Sequence, residues 1–496
     1  MDQILLGFQQ ILTVPNIALC LAGTLIGTLI GVLPGLGPLA TMSILLPITF
    51  GLDPLGALLM LAGVYYGSQY GGSTTAILVN LPGESASVVT CLDGHAMTRQ
   101  GRAGEALFMA ATGSFLAGSI ATVIIAVAAP AIGQFAQQFT SAEYAALLIF
   151  GLIAAVVIAS GSVVEALAVV LIGIVLGFVG TDVNSGASRY TFGQMPLLDG
   201  LQFVPLALGF FGIPEIVSNL ERPEQREVMT PKVGSIWPRW PQIRQAIPAM
   251  LRGTGLGSAL GFLPGGGALL SAFVSYSVEK RVSGDPGRFG KGAVEGVAGP
   301  EAANNAGAQT SFIPLLTLGI PSNPVMAVMM GAMILHGIQP GPQVISRQPE
   351  LFWGLVASMW MGNFFLLIIN LPLIGIWVKL LAVPYRLLFP LIVVIACIGI
   401  YSVNYSAFDV FTAMIFGMIG YVFAKLKLQP APLLLGFIVG PLLEENLRRA
   451  MVVAQGDASV FFTRPISGTM MVGAVVLLLL LLLPSIRRTR ELALKE

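Results

Sequence analysis

The sequence predicts an all-α integral membrane protein, a polytopic helical bundle of two inverted repeats with broken, re-entrant helical hairpins. Three observations carry that expectation. Apolar residues make up 55% of the chain and charged residues only 10%, against roughly a quarter in soluble domains. No Asp, Glu, Lys, Arg or His lies between Asp2 and Asp53, or between Glu105 and Glu143, and each run can supply a span of ~20 apolar residues. The same punctuated segment also occurs twice, once in each half of the chain.

The N-terminus lacks the basic start and small-residue cleavage site of a signal peptide, so the first apolar segment is expected to stay in the mature chain. Residues 15–217 read as membrane repeat 1. Within them, residues 23–37 (GTLIGTLIGVLPGLG) match residues 253–267 (GTGLGSALGFLPGGG) at eight of fifteen positions without a gap. Near the ends of the repeats, PLALGF at 205–210 answers PLLLGF at 432–437. Between these landmarks NLPG at 80–83 faces GIPS at 319–322. Glu165 faces Asp409, each eight residues before a glycine, Gly173 or Gly417. Landmarks in one order point to a duplicated half.

Repeat 1 contains no lysine and only Arg99, Arg102 and Arg189. The segment 218–246 then gathers Arg222, Arg226, Lys232, Arg239 and Arg244 and reads as a basic cytoplasmic linker. Residues 247–450 form repeat 2, 465–485 a terminal transmembrane helix, and 486–496 a basic cytoplasmic tail. Both basic segments fall on one side only if each repeat crosses the membrane an odd number of times. The copies are then inverted, with roughly 10–12 spans besides the hairpins. The basic residues at 280–291 do not fall into place from sequence alone.

The uncharged run from about 17 to 50 would be roughly 50 Å long as one helix, too long for a single crossing and short for two. The Pro34-Gly35 and Pro264-Gly265 pairs, with Gly37 and Gly267 close behind, are expected to break these runs into two half-length helices. Paired Gly/Pro-interrupted segments in matching positions point to a solute site. Helix packing through G-x-x-x-G spacing is the plainer explanation of a single such segment; the repeated P-G-x-G favours a site.

Polar residues cluster around the breaks. Copy one carries Gly71, Gly72, Ser73 and Thr74, then Asn80, Pro82 and Gly83. Copy two carries Glu301, Asn304 and Asn305, then Thr317, Gly319, Pro321 and Ser322. Their neutral oxygens suit a hard cation such as sodium, expected near Asn305 with no metal ligand set assigned. Free amides at half-helix N-termini suit carboxylates. Glu165 and Asp409 either bind a coupling cation or are boundary residues at span ends. Asp93, His95, Arg99 and Arg102 read as a solvated polar cap.

Several classes are excluded or disfavoured. Two histidines, His95 and His336, and the absence of H-E-x-x-H leave no enzyme constellation, and no phosphate-binding loop ends in Lys-Ser/Thr. The three cysteines are far apart. A net charge of +1 gives no reason to expect nucleic acid.

GxLPGLG at 31–37, YGxxYGGS at 66–73, DGHAxxRQG at 93–101, FGKGxxEGVAGPEAANNA at 289–306 and LGIPS at 318–322 resemble the large membrane subunit of tripartite tricarboxylate transporters. The resemblance runs from about residue 15 to about 450, with one departure at Ser322, where a second glycine is expected. It implies a multi-pass permease of the bacterial inner membrane that takes up citrate-like di- or tricarboxylates by sodium symport. It also implies two partners, a small four-span membrane subunit and a periplasmic substrate-binding protein. No cofactor is expected beyond sodium as coupling ion. A passive channel for small organic anions is the alternative function.

Overall fold

The computed structural model describes residues 2–33, 37–158, 162–182, 184–221, 233, 235–263, 267–380 and 385–482. Pro34, Gly35, Pro264 and Gly265, residues 222–232 and 234 of the linker, and the tail 486–496 lie outside them. Among the described residues the regular structure is helical, with one short antiparallel pairing of Gly180–Thr181 with Ser188–Arg189. Val14–Val32, Ala103–Ala136, Pro349–Asn370 and Ala407–Lys425 are long and apolar enough to cross a membrane, and several shorter apolar helices accompany them. The all-α polytopic architecture is therefore observed.

Each break separates two helices. The first hairpin has arms Val14–Val32 and Pro38–Thr49; the second has arms Trp240–Phe262 and Gly267–Val282. The arms are unequal, 19 and 12 residues in one and 23 and 16 in the other, rather than two half-lengths.

The first arms pack on two support helices, Pro54–Val79 and Glu295–Thr310. Glycines at every fourth position form the seam. A Cβ on Gly23, Gly27 or Gly31 would collide with the backbone of Met60, Val64 or Ser68, the last at 2.5 Å. From the other side, a Cβ on Gly67 would meet the Thr24 carbonyl at 2.5 Å. In the second repeat Gly253, Gly257 and Gly261 press on Gly299, Ala303 and Gly307. With no side chain between them the backbones approach closely and gain van der Waals contact along the seam, which lipid cannot replace. Contact numbers rise together in both helices, so each first arm runs parallel to its support. Each return arm must then run back.

Polar contacts fix the direction of the two hairpins. The first starts and ends beside Asp53, whose carboxylate accepts from the Gly56 amide at 2.8 Å and caps the support helix. That helix runs to the opposite end of the molecule, where Ile77 O accepts from Thr98 at 2.8 Å. There Gln100 donates to Lys291 O at 2.7 Å, and the Gly104 amide donates to Val233 O at 2.8 Å. The linker and the 283–292 loop, between which the second hairpin starts and ends, thus share that end. The two hairpins enter the protein from opposite ends. The basic residues Lys280, Arg281, Arg288 and Lys291 fall beside Arg99, Arg102 and the linker, at one face.

Asp93 is not a solvated cap residue. It is fully buried and accepts the amides of Gly290, Gly292 and Ala293 at 2.9, 2.8 and 2.7 Å, with the Tyr276 hydroxyl at 3.0 Å. A short π-helical turn, Cys91–His95, carries it inward, and the glycines of the 290–292 loop adopt positive φ to present their amides. The DGH and FGKG motifs are therefore two halves of one clasp between the repeats. Glu165 is exposed and caps its helix from the first turn. Asp409 also lies in a first turn and accepts from Asn404 at 2.9 Å.

The repeats also exchange helices. Val163–Gly177 of the first packs on Ala431–Val453 of the second, with Gly173 against Leu433 and Gly436 against Val170. Reciprocally, Ala407–Lys425 packs on the helical segment 203–221, where a Cβ on Gly209 would meet the Ala413 carbonyl at 2.9 Å. PLALGF and PLLLGF supply the equivalent glycine in each exchange. Pro465–Leu482 packs beside Ser141–Ile158, where a Cβ on Gly473 would meet the Phe150 ring at 3.3 Å.

Two outcomes test this architecture. Gly257→Ala should destabilise the protein by roughly 1–3 kcal/mol through overpacking. Gly255→Ala, two residues away with nothing within 4 Å, should raise stability by up to about 1 kcal/mol through helix propensity; thermal unfolding in detergent measures both. In a cysteine-free background, Ser235→Cys and Ser283→Cys should react with an impermeant thiol reagent from one side of the membrane, and Gly51→Cys from the other.

Candidate functional site

The residues that follow the two breaks meet at a cavity of about 450 Å³. Gly37 from the first hairpin and Gly267 from the second line it, together with Gln69, Glu84, Ser322 and Asn323. Gly37 has open space where a Cβ would stand. Gly267 holds φ +57°, the left-handed conformation glycine tolerates best, and a Cβ there would approach Asn323 at 3.2 Å.

Four helices start at this cavity: Pro38–Thr49, Gly267–Val282, Pro324–Leu335 and Ala431–Val453. The first turn of each leaves backbone amides without an intrahelical partner, and the aligned peptide dipoles make these ends positive. Asn323 satisfies one such amide, accepting from Met326 N at 3.0 Å. No Lys, Arg or His lines the cavity among the described residues. The positive potential at this cavity is thus supplied by backbone.

Glu84 contributes a carboxylate to the same wall. It is held by the Ala86 amide at 3.0 Å and, more loosely, by Asn304 Nδ2 at 3.5 Å. The side-chain oxygens of Gln69 and Asn304 are buried without a hydrogen-bond partner. A carboxylate buried in this way takes up a proton or a cation more readily than an exposed one.

A second polar centre lies one helical turn along the first support helix. Glu301 is buried, accepts from Ser73 Oγ at 2.6 Å and from Thr90, and also meets Ser114. Asn305 does not line either centre. Its Nδ2 donates to Ser114 Oγ at 2.7 Å and to Glu301 O at 3.1 Å, which orients those groups.

The expected site residues divide accordingly. Gly37, Gly267 and Ser322 line the cavity, and Ser73 and Thr74 line the second centre. Asn304 reaches the cavity wall through Glu84. Gly71 faces the first hairpin, where a Cβ would strike the Thr28 carbonyl, and a Cβ on Gly72 would meet the Glu84 side chain at 2.8 Å. Gly83 is wedged between Gly31 and Gly72, beside Pro82. Asn80 and Gly319 are left-handed helix caps at φ 56° and 70°. They explain the echo between NLPG and GIPS, which both begin with such a cap. Thr317 bonds back to Ile313 O at 2.7 Å, and Pro321 is buried behind Ser322. Glu84 and Gln69 were not selected from sequence. The signal that would find Glu84 is an ionisable residue beside a P-G break in an apolar region. No group of three or more His, Cys, Asp or Glu able to hold a metal occurs among the described residues.

Opposed broken hairpins around a cavity at which four helices begin define a polytopic membrane transport protein. The chain belongs to the tripartite tricarboxylate transporter TctA family, whose model matches residues 17–435. It is similar to an uncharacterized 52.8 kDa protein in the TAR-I ttuC' 3' region of Agrobacterium vitis, 54% identical over 486 residues, 98% of this chain and 97% of that one. An uncharacterized protein in the TAR-II ttuC' 3' region of the same organism is 61% identical over 235 residues, 47% of this chain and 97% of the relative. No solved structure matches.

Because the space beside Gly37 is open, Gly37→Val should fold and insert normally while narrowing the cavity. Uptake should fall at least roughly tenfold by loss of close backbone approach, with unchanged protein level in the membrane as the control.

Proposed function

We propose that this chain is the permease subunit of a tripartite secondary transporter that takes up citrate-like di- and tricarboxylates across the bacterial inner membrane. Sodium drives the uptake by symport. A periplasmic binding protein delivers the substrate, and a small four-span membrane subunit completes the complex. The observation that supports this reading best is the cavity between the tips. Four helix N-termini converge on it, it holds no basic side chain among its described lining, and its size suits a small organic anion. A polycarboxylate is recognised there by amides spread over several helices, each taking part of the charge.

The presence of Glu84 in the cavity favours coupled transport over a passive channel. A channel for anions gains nothing from a carboxylate in its path, whereas a symporter uses the cation that neutralises such a charge. The basic face formed by the linker and the 280–291 segment is assigned to the cytoplasm on the positive-inside tendency.

Proteoliposomes containing the chain with its two partners provide the test. An inward sodium gradient should drive accumulation of labelled citrate or a related carboxylate above the external concentration. The chain alone should support little uptake at low substrate concentration. Equilibration without accumulation, and without dependence on the gradient, would establish the channel instead.

A further inference from the structure

The geometry points to a binding site for one sodium-sized monovalent cation at the second polar centre, formed by Tyr70, Ser73, Thr74, Ser114, Glu301 and Asn370. This inference rests on the reading of the chain as an ion-coupled permease and locates the ion within it. These six oxygen-bearing residues, with Leu107, Ala110 and Ala111, line a space of about 10 Å³, the room one water-sized body occupies. It is too small for any carboxylate substrate, and it is separate from the large cavity between the hairpin tips.

The oxygens around it are arranged as acceptors. Thr74 points its hydroxyl hydrogen at Tyr70 O, 3.2 Å away, which leaves the oxygen lone pairs free. Ser114 Oγ receives Asn305 Nδ2. Asn370 commits its amide nitrogen to Leu366 O at 2.9 Å, and its carbonyl oxygen has no partner. The Tyr70 hydroxyl is likewise buried without a partner. Tyr70 and Asn370 are only 3% and 4% exposed, so water does not satisfy them from outside. Two orphaned oxygens at one small void is an expensive arrangement unless something occupies it.

The charge balance selects the ion. Glu301 is the one formal charge at the void, and among the described residues no Lys, Arg or His pairs with it. One carboxylate with neutral hydroxyl and amide oxygens neutralises a monovalent cation, whereas dedicated divalent sites gather several carboxylates. Oxygen-only ligands favour a hard ion over a soft one.

The site is also wired to the substrate cavity. Gln69 faces that cavity, while Ser73, one turn further on the same helix, bonds Glu301. Asn304, one turn along from Glu301, reaches Glu84. An ion between Tyr70 and Asn370 would place positive charge behind the wall on which the substrate carboxylates must settle, offsetting the charge of Glu84.

Binding of labelled sodium to the purified full chain in detergent, at constant ionic strength with choline as replacement, tests the assignment. Wild type should bind sodium saturably. Glu301→Gln should lose binding. Tyr70→Phe should bind roughly fivefold more weakly through loss of one neutral ligand, yet its sodium-free melting temperature should stay the same or rise, because an unpaired buried hydroxyl has gone. A merely structural Tyr70 would leave sodium affinity untouched. Saturable binding that is unchanged in both variants would overturn the site while leaving sodium-driven uptake intact. If Glu301→Gln does not fold, unchanged affinity in Tyr70→Phe is enough to overturn it. No saturable sodium binding to wild type would overturn the site together with sodium coupling.

Discussion

The structure depends on backbone-to-backbone contact at two glycine seams. In water, burial of apolar side chains would hold a helical hairpin in place; in lipid that force is absent, since the tails are as apolar as leucine. What remains is close packing and hydrogen bonding. Gly23, Gly27 and Gly31, and their counterparts Gly253, Gly257 and Gly261, bring each hairpin arm against its support so closely that no side chain fits between. Everything at the site follows from where those seams end. Each arm stops within the protein, and its partner arm starts there with amides exposed. The polar ends are tolerable because they face a cavity rather than hydrocarbon.

The site's polarity follows from the same geometry. Helix N-termini from both repeats supply positive potential without lysine or arginine, which in so apolar a chain would need costly burial. Acidic residues are the exception. Glu84 lies on the cavity wall and Glu301 behind it, each held by hydroxyls, amides or backbone rather than by a cation. Asp93 shows the contrasting use of a buried carboxylate. Its three amide bonds and a tyrosine hydroxyl satisfy it where it stands, so it serves as a clasp between repeats.

The architecture was legible in the sequence because membrane constraints are written in composition and in repetition. Charge-free runs of span length, the duplicated GxxxGxxxGxLPG segment and the PLxLGF pair correspond to helices, seams and exchanged packing. The glycines proved harder to assign. Gly71, Gly72 and Gly83 sit in a run of polar, flexible residues and read as ligand-approach positions, yet they let helices and loops touch. For Gly71 the cue was spacing by four after Gly63 and Gly67, which marks one helix face; Gly72 and Gly83 carry no such spacing. Asp93 was misread because a D-G-H triplet looks like a surface turn, and only the three-dimensional approach of residues 290–293 reveals its partners. The unequal hairpin arms were hidden for a related reason: a glycine-proline break gives the position of a turn but not the length of either arm. Glu84 was legible as an ionisable residue beside the Pro82-Gly83 break, whereas Gln69 carried no signal and became visible only once the cavity was described.

The central claim is that a carboxylate substrate settles between the two hairpin tips, held by helix N-termini. A cryo-EM structure of the chain in lipid nanodiscs with saturating citrate or a related carboxylate tests it most directly. The account predicts ligand density between Gly37 and Gly267, within hydrogen-bond reach of the first-turn amides after Asn323. Density instead in the separate cavity of about 490 Å³ lined by Asn404 and Asp409, with the tips empty, would contradict it.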